Sequence, residues 1–188
     1  AHFNLNNADI SNRLNPSQKG VMKQQHVSTE IKADIQKGKE GKGLLLDGDA
    51  WLDLGKVGVF ERHESFSFGI WVNIPDGLEN GVLFHKGIGA ALYNLRGYHI
   101  AIKDNRLQVL MAHTAPYNAI IEYLDDFPRD EWMHLTLTYD GTSKAAGLKL
   151  YMNGKEAKTV VDNDNLYKSI LFNFDGQPEA GLQIGARW

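Results

Sequence analysis

The stretch EWMHLTLTYDGTSKAAGLKLYMNGK, residues 131–155, decides the fold. Met133, Leu135, Leu137 and Tyr139 alternate with His134, Thr136 and Thr138. A period of two marks a strand with one buried face, because successive side chains on an extended backbone point to opposite sides. Leu148, Leu150 and Met152 repeat the pattern against Lys149, Tyr151 and Asn153. Asp140-Gly141 turns the chain between the two strands. Asn153-Gly154 marks a tight hairpin, since both central residues of such a turn need positive φ. Leu135, Leu137, Tyr139, Leu148, Leu150 and Met152 are assigned to the core side. The outward His134, Thr136 and Thr138 are small or polar and read as a poor binding platform on their own.

Upstream, residues 65–74 (SFSFGIWVNI) alternate most cleanly. Phe66, Phe68, Ile70, Val72 and Ile74 share one face; Ser67, Gly69, Trp71 and Asn73 share the other. Pro75-Asp76-Gly77 supplies the turn that ends it. Residues 98–103 and 106–112 form a hairpin across Asp104-Asn105. Further strands are read at residues 44–46, 51–54, 81–86, 119–124 and 182–184. Residues 161–181 read as irregular, with Leu171, Phe172 and Phe174 as a loop anchor. With about ten to twelve short strands and no amphipathic helix, the fold class is all-β: a two-sheet antiparallel β-sandwich.

Residues 12–43 differ in character. They are polar and hold six lysines between Lys19 and Lys42. They read either as an electropositive arm or as a solvated connection with one or two edge strands. Ile31, Ala33 and Ile35 alternate with Lys32 and Asp34 like a half-buried strand, and residues 36–43 read as a loop. The chain divides into an N-terminal extension, 1–42, giving edge strands and loops, and a sandwich, 43–188, within a single domain.

Composition narrows the function classes. The chain has 188 residues, 43% of them hydrophobic, and a net charge of -3. That is enough for one core and lacks the basic footprint of a nucleic-acid binder. No apolar run reaches the ~20 residues of a membrane-spanning helix, and no signal peptide is read at the start. The absence of cysteine excludes disulfides, thiolate zinc sites and cysteine nucleophiles.

Four segments then follow one another in order: residues 43–55 (GLLLDGDAWLDLG), 65–74, 131–143 (EWMHLTLTYDGTS) and 147–155 (GLKLYMNGK), with 182–187 (LQIGAR) after them. The series resembles the laminin-G-like, concanavalin A-like lectin/glucanase jelly-roll domains. Residues 97–113 (GYHIAIKDNRLQVLMAH), the PYNAI at 116–120 and the DGTSKAAGLKLY at 140–151 are similar to the jelly roll of large exported bacterial proteins that also carry cytochrome c-type segments and domains of unknown function. That likeness implies a periplasmic, cell-surface or secreted module whose partners include other domains of a larger parent. Members of the family continue past the I-G-A-R strand into a closing strand of the form G-x-I-D-E. Here that strand is either missing or replaced by an N-terminal one.

The chemistry is weighed against that resemblance. Glycoside hydrolases on this fold use paired carboxylates, one to donate a proton and one to attack or activate water. No E-x-D-x-E triplet occurs, and Glu122 with Asp125 and Asp126 reads as a solvated strand end. No G-x-S-x-G elbow occurs either, so no enzyme is expected. The resemblance implies calcium as a possible cofactor, held by loop carboxylates such as Asp47, Asp49, Asp162, Asp164 and Asp175; their ordinary role is to form turns. His85, His99, His113 and His134 lie on or beside strands and read either as a metal cluster or as independent hydrogen-bonded groups. The metal site is left unassigned. A sugar site pairs an aromatic platform with polar partners. Trp71 is the platform, with Tyr93, Asn94, Arg96, Tyr98, His113, Tyr117 and Asn118 on two loops around it and His85 as a further imidazole. The alternative is that a loop covers Trp71 and the tyrosines fill gaps. The function expected is non-catalytic recognition of a glycan. The alternatives are a structural or protein-binding spacer and, remotely, a glycoside hydrolase.

Overall fold

A computed structural model describes residues 1–6, 9–87, 96–171 and 181–185 of the chain. The fold is an all-β sandwich of two antiparallel sheets. The larger sheet has eight strands, in spatial order β15 (Thr159–Asp164), β11 (Tyr117–Tyr123), β10 (Arg106–Thr114), β9 (Gly97–Lys103), β8 (Gly81–Gly87), β16 (Gln183–Ile184), β6 (Ala50–Asp53) and β3 (Val21–Gln24). The smaller has four: β14 (Lys155–Glu156), β13 (Leu148–Met152), β12 (Trp132–Tyr139) and β7 (Phe66–Asn73). Two hairpins accompany them, β1 (Ser11–Asn12) with β2 (Asn15–Lys19), and β4 (Asp34–Lys37) with β5 (Lys42–Leu45).

The alternating patterns place the inner faces as read. Leu135, Leu137, Leu148 and Leu150 on β12 and β13 are at most 2% exposed, and Met152 packs partly buried at the margin. Full burial of one such side chain is worth about 1.5–3 kcal/mol, so this one hairpin supplies much of the smaller sheet's adhesion. Opposite them lie Phe84, Ile100, Ile102, Leu107, Val109, Met111 and Ile121 of the larger sheet. The sheets meet through aromatic rings: Phe68 and Phe84 have centroids 3.7 Å apart, and Phe66 and Tyr98 5.1 Å. Both tight turns have positive φ at their two central residues, Asp104 and Asn105 at 49° and 68°, Asn153 and Gly154 at 49° and 78°. This is the hairpin geometry whose twist matches the strands it joins.

Three segments depart from the sequence reading. Residues 159–164 form β15, an edge strand on β11, within a stretch read as irregular from 161. Val160 and Val161 are both about half exposed, so no apolar face alternates there to be read. Residues 36–43 are not a loop but most of the β4–β5 hairpin, with Gln36 opposite Gly43 and Lys37 opposite Lys42. The half-buried strand read at 31–35 falls later, at Asp34–Lys37, while Ile31 and Ala33 pack beside the core. At the other edge, β3 pairs with β6, so a strand from the N-terminal part completes the larger sheet. Tyr93, Asn94, Phe172, Phe174 and Asp175 lie outside the described residues. Among the described residues, no helix is long and apolar enough to cross a membrane.

Candidate functional site

Trp71 lies on the outer face of the four-stranded sheet. Its neighbours in sequence, Ile70 and Val72, point to the core, and alternation turns the indole outward, 45% exposed. In the β7–β12 ladder Trp71 stands directly opposite His134. Their ring centroids are 5.0 Å apart and the planes tilt by 54°. Trp132, two residues before His134, projects on the same face.

Two turns complete the surroundings. The Asn153-Gly154 turn brings an amide to the site. Asn153 Oδ1 accepts from the His134 backbone N–H at 2.9 Å, and the Asn153 N–H donates to the His134 carbonyl at 2.8 Å. From the other side comes the tip of the β4–β5 hairpin. Lys39 Nζ sits 5.2 Å from the centre of the Trp71 indole, and a Cβ added to Gly43 would lie 3.4 Å from the Trp132 ring. Lys39, Trp71, Trp132, His134 and Asn153 enclose a depression of about 300 Å³. Among the described residues no carboxylate lines it. Such a volume is at the lower end for small-molecule pockets, enough for a single ring. His134 was read as part of a poor platform. Placed against Trp71 and Trp132, it belongs to an aromatic surface, and Trp132, Asn153 and Lys39 are members that the sequence reading missed. The signal available for Trp132 was its parity with His134 on the same strand, and for Asn153 its place in the Asn-Gly turn that follows β13; nothing in the sequence places Lys39.

The residues expected to rim Trp71 belong to the other sheet. Arg96, His113 and Tyr117 do come together, at the β10–β11 end of the eight-stranded sheet. Arg96 Nε donates to the His113 carbonyl at 2.9 Å, and its Nη2 lies 3.0 Å from His113 Nε2. His113 Nδ1 lies 2.6 Å from the Ser169 carbonyl. A guanidinium only donates and a carbonyl only accepts, so this network assigns the proton of the neutral ring to Nδ1. Tyr117 and Tyr167 meet edge to face at 4.9 Å, and Lys168 Nζ covers the Tyr117 ring at 4.1 Å. The segment carrying Tyr167 and Lys168 is tied down by Glu61, which accepts hydrogen bonds from the Ser169 hydroxyl and, at 3.1 Å, from the Ile170 N–H. Burial pushes the Glu61 carboxyl up, but the bonds from Ser169, Arg62 and Ile170 and the charge of His63 outweigh it and hold it below the usual range.

The remaining expected site residues turn inward or lie covered. Tyr98 is 4% exposed, packs against Phe66 and Phe84, and donates its hydroxyl to the Gly58 carbonyl at 2.5 Å; burial raises its phenol well above the usual value. The reason is parity: Tyr98 shares the core face of β9 with Ile100 and Ile102. His85 and His99 are register partners on the opposite face of that sheet, ring centroids 5.9 Å apart, and both buried. Asn118 lies on that face too, opposite Ala112, and is 7% exposed. Glu122 accepts from Gln108 Nε2 at 2.7 Å. Asp47 Oδ1 accepts from the Asp49 and Ala50 N–H groups, and Asp164 from the Ala145 N–H. Among the described residues, no three His, Cys, Asp or Glu side chains converge as metal ligands would.

Comparison with known proteins sets this geometry in context. The sequence model of a laminin-G family, described as the concanavalin A-like lectin/glucanases superfamily, matches residues 46–179. No curated protein matches the chain. Among solved structures, the chain is similar to domain 4 of AbnA, a GH43 extracellular arabinanase from Geobacillus stearothermophilus, in complex with arabinotriose. There the TM-score is 0.67 at 19% identity, covering 100% of this chain and 83% of that one. It is also similar to the binding domain of Paraclostridial Mosquitocidal Protein 1, with a TM-score of 0.64 at 15% identity, covering 97% of this chain and 43% of that one. The receptor-binding domain of botulinum neurotoxin C/D mosaic serotype aligns at 0.53 and 14% identity, over 88% of this chain and 42% of that one. The chain therefore spans less than half of these two toxin domains. At such identities the likeness shows the fold.

Proposed function

The chain belongs to the laminin-G-like family of the concanavalin A-like lectin/glucanase superfamily, and on that premise we propose that it is a non-catalytic glycan-recognition module whose binding site is the outer face around Trp71. The observation that carries the reading is an indole 45% exposed at the floor of a depression walled by His134, Asn153, Trp132 and Lys39. A sugar ring has one face of C–H bonds and a rim of hydroxyls. The indole covers the C–H face, and imidazole, amide and ammonium groups satisfy the rim. The ladder fixes Trp71 and His134 before any ligand arrives, so little conformational entropy is lost on binding.

The same lining supports a binding role rather than hydrolysis. Most glycosidases cleave with two carboxyls flanking the scissile bond, and among the described residues no carboxylate lines the depression. A solved neighbour holds arabinotriose on the same fold, which supports including arabinan among the ligands tested. We assign the module to an exported protein on the strength of the family.

The test is a glycan array probed with the full chain, followed by a reducing-sugar assay on each glycan that binds. Binding to at least one glycan without release of reducing ends supports the proposal. An array with no bound glycan overturns it in favour of a protein-binding or spacer domain, and turnover would make the chain an enzyme.

A further inference from the structure

We infer that two copies of this chain pair edge to edge through β15, antiparallel about a two-fold axis at Val160, and so join their eight-stranded sheets into one. The inference stands apart from the glycan reading, because β15 belongs to the sheet that does not carry Trp71.

β15 ends the eight-stranded sheet and pairs on one side only, with β11. The Leu124 N–H donates to the Lys158 carbonyl at 3.1 Å, and Val160 stands opposite Glu122 in the same register. Residues of an antiparallel strand turn their backbone groups to alternate sides. Lys158 and Val160 therefore turn theirs to β11, and Thr159 and Val161 turn theirs outward. Among the described residues, no further backbone hydrogen bond involves Thr159 or Val161. The opposite edge is less open, since there the Met22 carbonyl of β3 accepts the Ile31 N–H at 3.1 Å. An open edge is a template for another strand.

The side chains of this edge are apolar. Val160 is 46% exposed, Val161 49%, and Leu124, opposite Lys158, 45%. The charges that ordinarily blunt an edge flank these valines rather than interrupt them. They are Lys158 and Asp162, both exposed, and among the described residues neither forms a salt bridge.

That order makes the strand its own complement. With Val160 opposite the Val160 of a second copy, Thr159 falls opposite Val161, and Lys158 opposite Asp162. The Thr159–Val161 pairs are then the hydrogen-bonded ones, each exchanging both of its N–H···O bonds. The central valines form the other kind of pair, in which side chains come closest. Each lysine meets the other copy's carboxylate, and the two-fold repeats the contact, as a self-complementary interface requires. Ile121 stands opposite Val161 and Ile120 opposite Asn163, so Asp162 is the extra residue of a bulge. The bulge ends the flat run, which keeps the pairing short and the association weak.

Paired residues of a ladder share a face, so the two-fold stands perpendicular to the joined sheet. Both Trp71 faces then lie on the same side of it, and the dimer presents the two together to one surface.

The experiment is sedimentation velocity of the full chain over a roughly hundredfold range of concentration, as a mass-action equilibrium demands, with amide hydrogen exchange at both ends of the range. The expected result is a concentration-dependent shift from the 21.0 kDa monomer towards twice that mass. The amides of Thr159 and Val161 gain protection as it occurs. Val161→Pro removes an outward donor that the monomer leaves unused, a change that an edge strand accepts. It is expected to keep the native melting temperature and to hold the chain monomeric. Lys158→Glu or Asp162→Lys alone weakens association about tenfold, because the symmetry removes two exposed ion pairs at once. The double variant restores it to within about twofold, as coupled partners do. A chain that stays monomeric throughout overturns the inference. A dimer that Val161→Pro and the charge exchange leave unaltered also overturns it, as does one whose two amides stay unprotected, since another surface then makes the contact. If Val161→Pro lowers the melting temperature, the charge exchange and the amides decide.

Discussion

Trp71 and His134 face each other across the β7–β12 ladder, one opposite the other in register, with their rings 5.0 Å apart on the solvent side of the sheet. The two residues are 63 positions apart in sequence, and neither side chain holds the core together. The core lies on the other side of the same strands, so binding and folding are separable on a single element.

That separation is testable. Leu137 is 1% exposed, between the sheets. Leu137→Ala removes buried methyl groups and leaves a cavity, at an expected cost of about 3 kcal/mol. Chemical denaturation reads this as a lowered midpoint at unchanged slope. Trp71→Ala is expected to stay within about 0.5 kcal/mol of the native chain, as surface substitutions do. A Trp71→Ala loss comparable with that of Leu137→Ala would mean that the indole is structural.

Asn153 links turn and site. Its φ of 49° is one that Asn tolerates and Ala resists, and its side chain holds the His134 N–H. Asn153→Ala is expected to cost about 1–2 kcal/mol through backbone strain and the lost hydrogen bond. Glycan affinity falls with it. Asn153→Gly relieves the strain without restoring the side chain. It is therefore expected to recover part of the melting temperature and none of the affinity.

Gly97 lies where β9 leaves Arg96, at φ 122°, and a Cβ there would come 2.0 Å from the Lys86 carbonyl. Gly97→Ala forces β8 from β9 in the middle of the eight-stranded sheet. The expected loss is about 3 kcal/mol, from strain and displaced backbone together. A melt within 2 °C of the native chain would contradict the close approach of these two strands.

Acid stability follows from three carboxyls held low. Glu61 is lowered because its hydrogen bonds outweigh its burial. Asp140 is lowered chiefly by bonds from Thr142, and Asp47 by the Ala50 and Asp49 N–H groups. A carboxyl with a depressed folded pKa binds its proton later than the unfolded chain does. Its stabilising contribution is complete above the ordinary values of 4.5 and 3.8 and is lost as the pH falls through the depressed ones. The melting temperature is therefore expected to be insensitive to these groups at neutral pH and to drop below about pH 4.5. Glu61→Gln flattens part of that drop. A melting temperature that rises on acidification over this window would contradict the assignment.

How much of this was legible in the sequence depends on which interaction sets each feature. Residues 65–74 and 131–155 declare their buried faces by alternation, and that fixes the direction of Trp71 as well as of Leu137. The two turns at 104–105 and 153–154 declare themselves because few residues accept positive φ. Which sheet a strand joins is not written in its period. Trp71 was therefore expected beside Arg96, His113 and Tyr117, whereas β7 pairs with β12 and those three lie on or beside strands of the other sheet. Tyr98 was misplaced for a related reason: an aromatic with a polar tip suits a rim or a core equally, and only the parity of β9 decides. The edge strand β15 has exposed valines and no amphipathic signal, and the β4–β5 hairpin hid behind its glycines and lysines. Lys39, the site residue that nothing in the sequence places, came from the turn of that hairpin.

The central claim rests on the Trp71 indole, and the most direct measurement is a calorimetric titration of an array-selected glycan into the native chain and into Trp71→Ala. The expected result is saturable binding to the native chain and a loss of at least about tenfold in Trp71→Ala, as for an aromatic anchor worth more than 1.4 kcal/mol, with both proteins melting at the same temperature. Affinity that is the same in both proteins would contradict the assignment of the site to this face.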